Sequence, residues 1–187
     1  MANNFTLRTA NGSDAEALMK LINEMYGLEY EKRDESEFAE EINSKNEIYI
    51  MAFQGDECVG FSGASINNSY YADLVNPDVA VIDYIYTKED SRSIKVAYEL
   101  LMRLLNELIS VGIKSAIMEV QTFNKQRFFH YALSDKNVIK SSERENKKGK
   151  YEDQILLIKD IRKVANFSMR ELMTKALGYL KEENATM

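Results

Sequence analysis

The chain has 187 residues, 45% of them hydrophobic, and a formal net charge of −6. That length suits one domain with a sizeable core, and the acidic balance argues against a nucleic-acid binder, which would present a basic face. A single cysteine excludes an internal disulfide, one cysteine with one histidine leaves little for a soft-ligand metal site, and no apolar run approaches a membrane span. The expectation is therefore a cytoplasmic protein with no metal, and with neither nucleic acid nor membrane among its partners. One proline and eight glycines mark no linker, and no repeat is visible.

In chain order, residues 4–9 read as a short strand with Phe5 and Leu7 on one face. Ser13-Asp14-Ala15-Glu16 has the form of a capping box, followed by Leu18, Leu21, Ile22 and Met25 at helical spacing and by Gly27 as a stop. Asp34 and Glu37 open a second helix with Phe38, Ala39 and Ile42 on one face. Residues 47–53 and 57–66 are strand-like and are joined by the hairpin signal Gln54-Gly55-Asp56. Cys58, in the second run, reads as a small apolar side chain, since no neighbouring base marks it as a nucleophile. Residues 67–78 form a polar loop that contains Tyr70, Tyr71 and Pro77.

The stretch from Val79 to Tyr131 organises the rest. Residues 79–86 are β-branched and aromatic, residues 87–92 are polar, and a helix follows with Ile94, Ala97, Leu101, Leu104, Leu105 and Leu108 in its stripe and Gly112 as its stop. Residues 115–121 form the next strand, and a short helix carries Tyr131. Strand, crossover helix and strand make a βαβ unit with parallel strands. The turn into the helix offers free amides, with Arg92 and Lys95 adding positive charge. Glu89 and Asp90 oppose an anion there, Asp90 or Ser91 is placed to cap the helix, and the plain alternative is a solvated first turn.

Residues 137–142 and 151–159 read as two further strands, with a charged hairpin tip between them that holds Lys147, Lys148 and Lys150. Ser168-Met169-Arg170-Glu171 is another capping box, and it opens an amphipathic helix with Leu172, Met173, Ala176, Leu177 and Leu180. Its polar face is too poor in basic residues for a membrane-surface helix.

The turn Arg92-Ser93-Ile94-Lys95-Val96-Ala97 resembles the pyrophosphate loop Arg/Gln-x-x-Gly-x-Gly/Ala of the GCN5-related N-acetyltransferase (GNAT) family, with Lys95 in place of the first glycine. After the next strand, Asn124 and Tyr131 stand two helical turns apart, as that family's Asn and Tyr do, whereas its following Gly-Phe is missing from residues 134–138. The resemblance spans residues 5–158. It implies an α/β fold with a mixed, mostly antiparallel central sheet, a parallel βαβ core and flanking helices. Residues 1–160 would form the acetyltransferase domain, with residues 161–187 as an added C-terminal helix packed on it or on a second copy in a homodimer.

The same resemblance implies acetyl-CoA as cofactor and a primary amine, on a small molecule or a protein, as acceptor. Arg92, Ser93, Ile94, Lys95, Val96, Ala97 and Asn124 would bind the cofactor, together with the main chain of Ile85, Tyr86 and Thr87. Tyr131 would protonate the departing thiolate, since a phenol titrates near ~10 and a thiol near ~8.5; the alternative is that it packs beside Phe128. Asp83 stands where many members carry a glutamate and would act as the base, or else bind the cationic amine. His130 has a better intrinsic pKa but neighbours Tyr131 on a helix and points elsewhere. Glu29 and Tyr30, after the first helix, would border the acceptor or be plain surface residues. The second function class is a non-catalytic regulatory or interaction module on the same fold.

Overall fold

The computed structural model describes residues 5–26, 34–68, 71, 79–91, 93–122, 127–146 and 149–186. Of the residues singled out above, Gly27, Glu29, Tyr30, Tyr70, Pro77, Arg92, Asn124, Lys147 and Lys148 lie outside them.

The strands are β1 (Thr6–Thr9), β2 (Glu47–Gln54), β3 (Glu57–Ile66), β4 (Val79–Thr87), β5 (Ser115–Gln121), β6 (Val138–Asn146) and β7 (Gly149–Ile158). The helices are α1 (Ala15–Tyr26), α2 (Glu35–Ile42), α3 (Ile94–Ser110), α4 (Arg127–Ser134), α5 (Ile161–Ala165) and α6 (Met169–Thr186). The strands form one sheet in the order β1-β2-β3-β4-β5-β7-β6. β4 and β5 are parallel and joined through α3; every other neighbouring pair is antiparallel. This is the mixed α/β architecture the sequence implies.

Strand alternation gives the sheet two apolar faces, and each is covered. On one, Ile50, Ala52, Ala80, Ile82, Ala116, Met118 and Leu156 meet the buried stripes of α3 and α4, with α5 and α6 completing the layer. On the other, Tyr49, Met51 and Phe61 pack under Leu18, Leu21 and Ile22 of α1 and Phe38 of α2. Tyr71 closes the same face farther along, against Val81, Ile117 and Ile155.

Several local expectations shift. The cap of α1 lies earlier than the Ser13 box: Asn11 accepts from the Ser13 amide, Asp14 accepts from the Asn11 amide, and a 3-10 turn, Gly12–Asp14, leads into the helix. A capping box needs only an Asx or Ser/Thr with an acid three residues on, and this stretch offers two in overlapping frames. Ser93, not Asp90 or Ser91, caps α3, and Ile94 is 48% exposed, so the buried stripe begins at Val96 and runs through Leu100. Leu177 likewise turns outward from α6, whereas Leu172 and Ala176 are buried. β6 and β7 run on through the charged segment, where Lys150 pairs with Glu143 and Arg144 with Asp153 across the hairpin. The α5 turn, capped by Asp160, carries no long apolar period and was not expected. The Ser168–Glu171 box is formed as read.

Arg8 ties β1 to the start of α1. Its Nη1 and Nη2 donate to the two carboxylate oxygens of Asp14 at 2.7 and 2.6 Å. The Arg8 bond holds the nearly buried Asp14 carboxyl below its usual range. A depressed folded value means the contribution is complete above the unfolded value near ~3.9 and is lost as pH falls through the folded one. Asp14→Asn should therefore cost about 1 kcal/mol in urea unfolding at pH 7, discounted for the half-exposed Arg8, and the gap from wild type should close below about pH 4. A gap that stays constant with pH would contradict an ionic origin.

Candidate active site

β4 and β5 pair over four residues, Val79 to Ile82 against Ser115 to Met118, and then part. β4 continues to Thr87 and β5 to Gln121, each held by its other neighbour alone. The parting starts at a bulge. Gly63 pairs with Tyr84 and Ala64 with Ile82, so Asp83 is an extra residue on β4. Its Oδ2 accepts the Ser65 amide at 3.1 Å, which holds the bulge to β3. The bulge also shifts the alternation: Ile82 joins the α3 face, while Tyr84 joins the α1/α2 face.

Asp83 is exposed, yet enough protein surrounds its carboxyl to desolvate it. Burial pushes its carboxyl up to about 6; the Ser65 bonds oppose that rise and nearby Glu41 adds to it. Glu119 is the β5 residue after Met118, the partner of Ile82, and it too is exposed. It accepts from the Tyr71 hydroxyl at 3.3 Å. Two carboxylates thus stand on adjacent strands where the sheet opens.

Beyond the C-terminal end of β4, α3 begins. Ser93 in extended conformation caps it, its Oγ accepting the Val96 amide at 3.2 Å and its carbonyl the Ala97 amide at 3.3 Å. Among the described residues no acceptor meets the Ile94 and Lys95 amides, which are the donors a helix N-terminus leaves unpaired. Lys95 is exposed, with Nζ 5.8 Å from the Phe5 ring centroid. Of the six turn residues named from sequence, Ile94 and Lys95 thus keep free amides, whereas those of Val96 and Ala97 are engaged by Ser93. Ile85, Tyr86 and Thr87 lie on the part of β4 that has left β5.

Tyr131 is carried by α4. It is buried, and its hydroxyl donates to Gln154 Oε1 at 2.8 Å on β7. Its ring meets Phe128 and, from α6, Tyr179 edge-on at 6.2 and 6.1 Å. α6 is fixed there by the Arg127–Glu183 pair and by Lys175 on Asp135. Tyr131 borders a cavity of about 650 Å3 shared with Arg127, Lys136, Glu152, Gln154 and Glu183. Thr122, directly after β5, lines the same cavity, so the cavity adjoins a strand that borders the parting. Burial raises the Tyr131 phenol, so it is protonated at neutral pH. Asp83, Ile85, Tyr86 and Thr87 thus follow one another along the part of β4 that has left β5, α3 begins beyond its end, and the Tyr131 hydroxyl turns to Gln154 on β7.

Cys58 is half-buried, and burial pushes its thiol up, the state of an inert apolar side chain. No group of His, Cys, Asp or Glu that could hold a metal ion occurs among the described residues, and no helix of theirs is long and apolar enough to cross a membrane. Sequence reasoning missed Glu119, although a lone acid in the apolar run from Ala116 to Val120 was a signal. It also missed Gln154, which nothing local distinguishes.

Solved structures share this fold. With yncA from Salmonella typhimurium, solved with its cofactor acetyl-CoA, the TM-score is 0.65 at 13% identity, over 83% of this chain and 94% of that one. With the ribosomal-protein-S18-alanine N-acetyltransferase of Escherichia coli the TM-score is 0.58 at 16% identity, over 83% and 93%. With Arabidopsis thaliana NAA60 in complex with acetyl-CoA it is 0.60 at 17% identity, over 82% and 98%. A comparison with curated protein sequences found no match. The model of the Acetyltransferase (GNAT) family matches residues 15–131, more than half of the chain, and the protein belongs to that family.

Proposed function

We propose that the protein transfers an acetyl group from acetyl-CoA to a primary amine of a small molecule or a protein. The observation that carries this reading is the parting of β4 from β5 at the Asp83 bulge, with the amides of α3 at the same end of the strands. Family membership supports it, as do relatives of the same fold that hold acetyl-CoA.

The residues present fit that cofactor. From Asp83 to Thr87, β4 has lost its β5 partner, and a strand edge pairs with any extended ligand that offers amide groups. The main chain of Ile85, Tyr86 and Thr87 would hold the pantetheine arm. The Ile94 and Lys95 amides, with the charge of Lys95 and Arg92, suit a pyrophosphate. Asn124, in the connection before α4, is assigned to the cofactor by its motif position. Bound acetyl-CoA supplies an acetyl group activated as a thioester. Asp83, with its carboxyl near about 6, is ionised at neutral pH and accepts a proton from the incoming ammonium at a carboxylate oxygen. Tyr131 keeps its proton at Oη; its motif position makes it the candidate donor for the departing thiolate, for which its hydroxyl would have to leave Gln154. Its bond to Gln154 and its contact with Tyr179 favour a second role, as the anchor that holds α6 on α4.

Three measurements test this reading. Acetyl-CoA at millimolar concentration should raise the melting temperature by mass action, and Arg92→Glu should abolish the rise. No rise in the wild type would favour the non-catalytic module. With a responsive amine, kcat/KM should climb with pH through about 6, as Asp83 ionises, and then level. Asp83→Asn should remove that inflection and lower kcat/KM about 10²-fold; an inflection retained in the variant would clear Asp83 of the base role. Tyr131→Phe should lower turnover about 10²- to 10⁴-fold with normal melting if Tyr131 is the acid. Full turnover with a lower melting temperature would assign it to the α6 anchor instead.

A further inference from the structure

The Gln154 amide is tied at both ends. The Tyr131 hydroxyl donates to its Oε1 at 2.8 Å, and its Nε2 donates to Glu152 Oε2 at 2.8 Å. Gln154 and Glu152 are two residues apart on β7 and so share one face of the strand. Glu152 is held in turn. Ser141, opposite Gln154 on β6, donates its hydroxyl to the same Oε2 at 2.8 Å. Thr122, directly after β5, accepts the Glu152 amide at 2.8 Å and gives its own amide to the Glu152 carbonyl at 2.9 Å. The Gln154 and Ser141 bonds hold the Glu152 carboxyl below its usual range, so it is ionised at neutral pH. An ionised carboxylate only accepts. The Gln154 amide therefore has one permitted direction, nitrogen to Glu152 and oxygen to Tyr131.

In that direction Gln154 works against proton release. Its oxygen accepts the Tyr131 proton, and would face the phenolate once that proton had gone. The ring has little room to move away. Phe128 and Tyr179 meet it edge-on at 6.2 and 6.1 Å, and Lys136 Nζ stands 5.5 Å from its centroid. The amide can turn, because the last torsion of a glutamine is broad and roughly two-fold, and Tyr131, Gln154 and Glu152 all line the cavity. Turned by half a revolution, Nε2 donates to Tyr131 Oη, the phenol proton is free for another acceptor, and the phenolate keeps a donor. The same turn sets Gln154 Oε1 against Glu152 Oε2, so the charge on Glu152 opposes it.

We propose that Gln154 is the positioning residue of Tyr131, and that Glu152 decides which end of the Gln154 amide the phenol meets. The proposal rests on the acetyltransferase reading above, with Tyr131 as the acid. With Oε1 on the phenol, the proton is held. With Nε2 there, the Tyr131 O–H bond breaks and an S–H bond forms on the departing thiolate. The phenolate then accepts from Nε2 until water returns its proton. Neutralising Glu152 favours the releasing state. The other charges facing the phenol are Arg127 on α4, which lowers it, and Glu183 on α6, which raises it, and these two are paired with each other. Glu152 also raises the phenol across space, a route that does not pass through Gln154.

The test reads the Tyr131 phenol by 19F NMR on the full chain carrying 3-fluorotyrosine, whose phenol titrates below that of tyrosine. Loss of one signal in Tyr131→Phe identifies it. Glu152→Gln keeps the size of an exposed side chain and removes its charge. The phenol should then titrate about one pH unit lower, the size of one hydrogen bond to a charged group. Gln154→Glu should move it upward, because a carboxylate then faces the hydroxyl. Gln154→Met removes the amide, and in that chain the effect of Glu152→Gln should largely vanish. With a responsive amine, kcat should rise about tenfold in Glu152→Gln, while the KM for acetyl-CoA and the melting temperature hold. Unchanged titration or unchanged kcat in Glu152→Gln overturns the proposal and leaves acetyl transfer standing. A Glu152→Gln shift of full size in the Gln154→Met chain means that Glu152 acts across space alone, and overturns it too. The expected shifts with no turnover in any chain support the placing of Gln154 and remove the transfer reading.

Discussion

The parting of β4 from β5 governs the rest of the molecule. A parallel pair inside a sheet does not open without cause, because every ladder bond it gives up leaves donors and acceptors that need other partners. Here the cause is one extra residue. Asp83 inserts into β4, breaks the β3–β4 register and answers the Ser65 amide with its own carboxylate. Past that point β4 leans on β3 and β5 on β7, and the gap between them is an internal strand edge. An edge at the rim of a sheet is an aggregation risk; one between α3 and α4 is sheltered from other chains and open to a narrow extended ligand. The same bulge rotates Tyr84 onto the α1/α2 face, over Gly63 and beside Tyr49. One inserted residue thus both frees a strand edge and sets Tyr84 beside Tyr49.

The far side of the sheet answers a different demand. α4 follows β5 and has to cover β7, and its outer face would lie bare without α6. Leu172 and Ala176 are buried in that layer, and the ion pairs Arg127–Glu183 and Lys175–Asp135 fix the register of the two helices. Both pairs are partly exposed and contribute little to stability singly. Their effect is orientational: they place Tyr179 against Tyr131 and leave the Tyr131 hydroxyl to Gln154. A change in α6 therefore reaches Tyr131 directly, without passing through the sheet.

Much of the fold was legible, for local reasons. β3 and β5 were bounded as found because turns and charged residues flank their apolar runs, and the Ser168–Glu171 box named the start of α6. What failed depended on neighbours. Ile94 matched the helical period but sits in the first turn of α3, where the core does not yet reach. Leu177 lies off the stripe that α4 covers. The charged segment around Glu143 looked like a loop because its cross-strand ion pairs exist only once β6 and β7 are in register. The site divides in the same way. Asp83 was legible as a polar residue inside an apolar strand, but its bulge was not, since a bulge belongs to a pair of strands. Tyr49 looked like any strand tyrosine until the register set it over Gly63. Tyr131 was placed by motif order, which carries no information about the residue its hydroxyl meets.

Lys95 can be weighed in these terms. A glycine at the phosphate turn serves close approach of the backbone, and a side chain there is tolerated only if it leaves the amide open. Lys95 sits in regular helix, exposed, with its ammonium over Phe5 and its amide unpaired. What the turn loses in clearance it regains in charge. The cleft then has two electrostatic sides: Lys95 at the α3 end, and Asp83 with Glu119 where the strands part. A pair of unit charges at 4 Å is worth about 1 kcal/mol in water and about 4 kcal/mol near a protein surface. A pyrophosphate gains at the first side and loses at the second, and an ammonium does the reverse. On the proposed acetyl transfer, an anionic donor and a cationic acceptor would thereby be drawn to opposite sides of the opening before any shape is read.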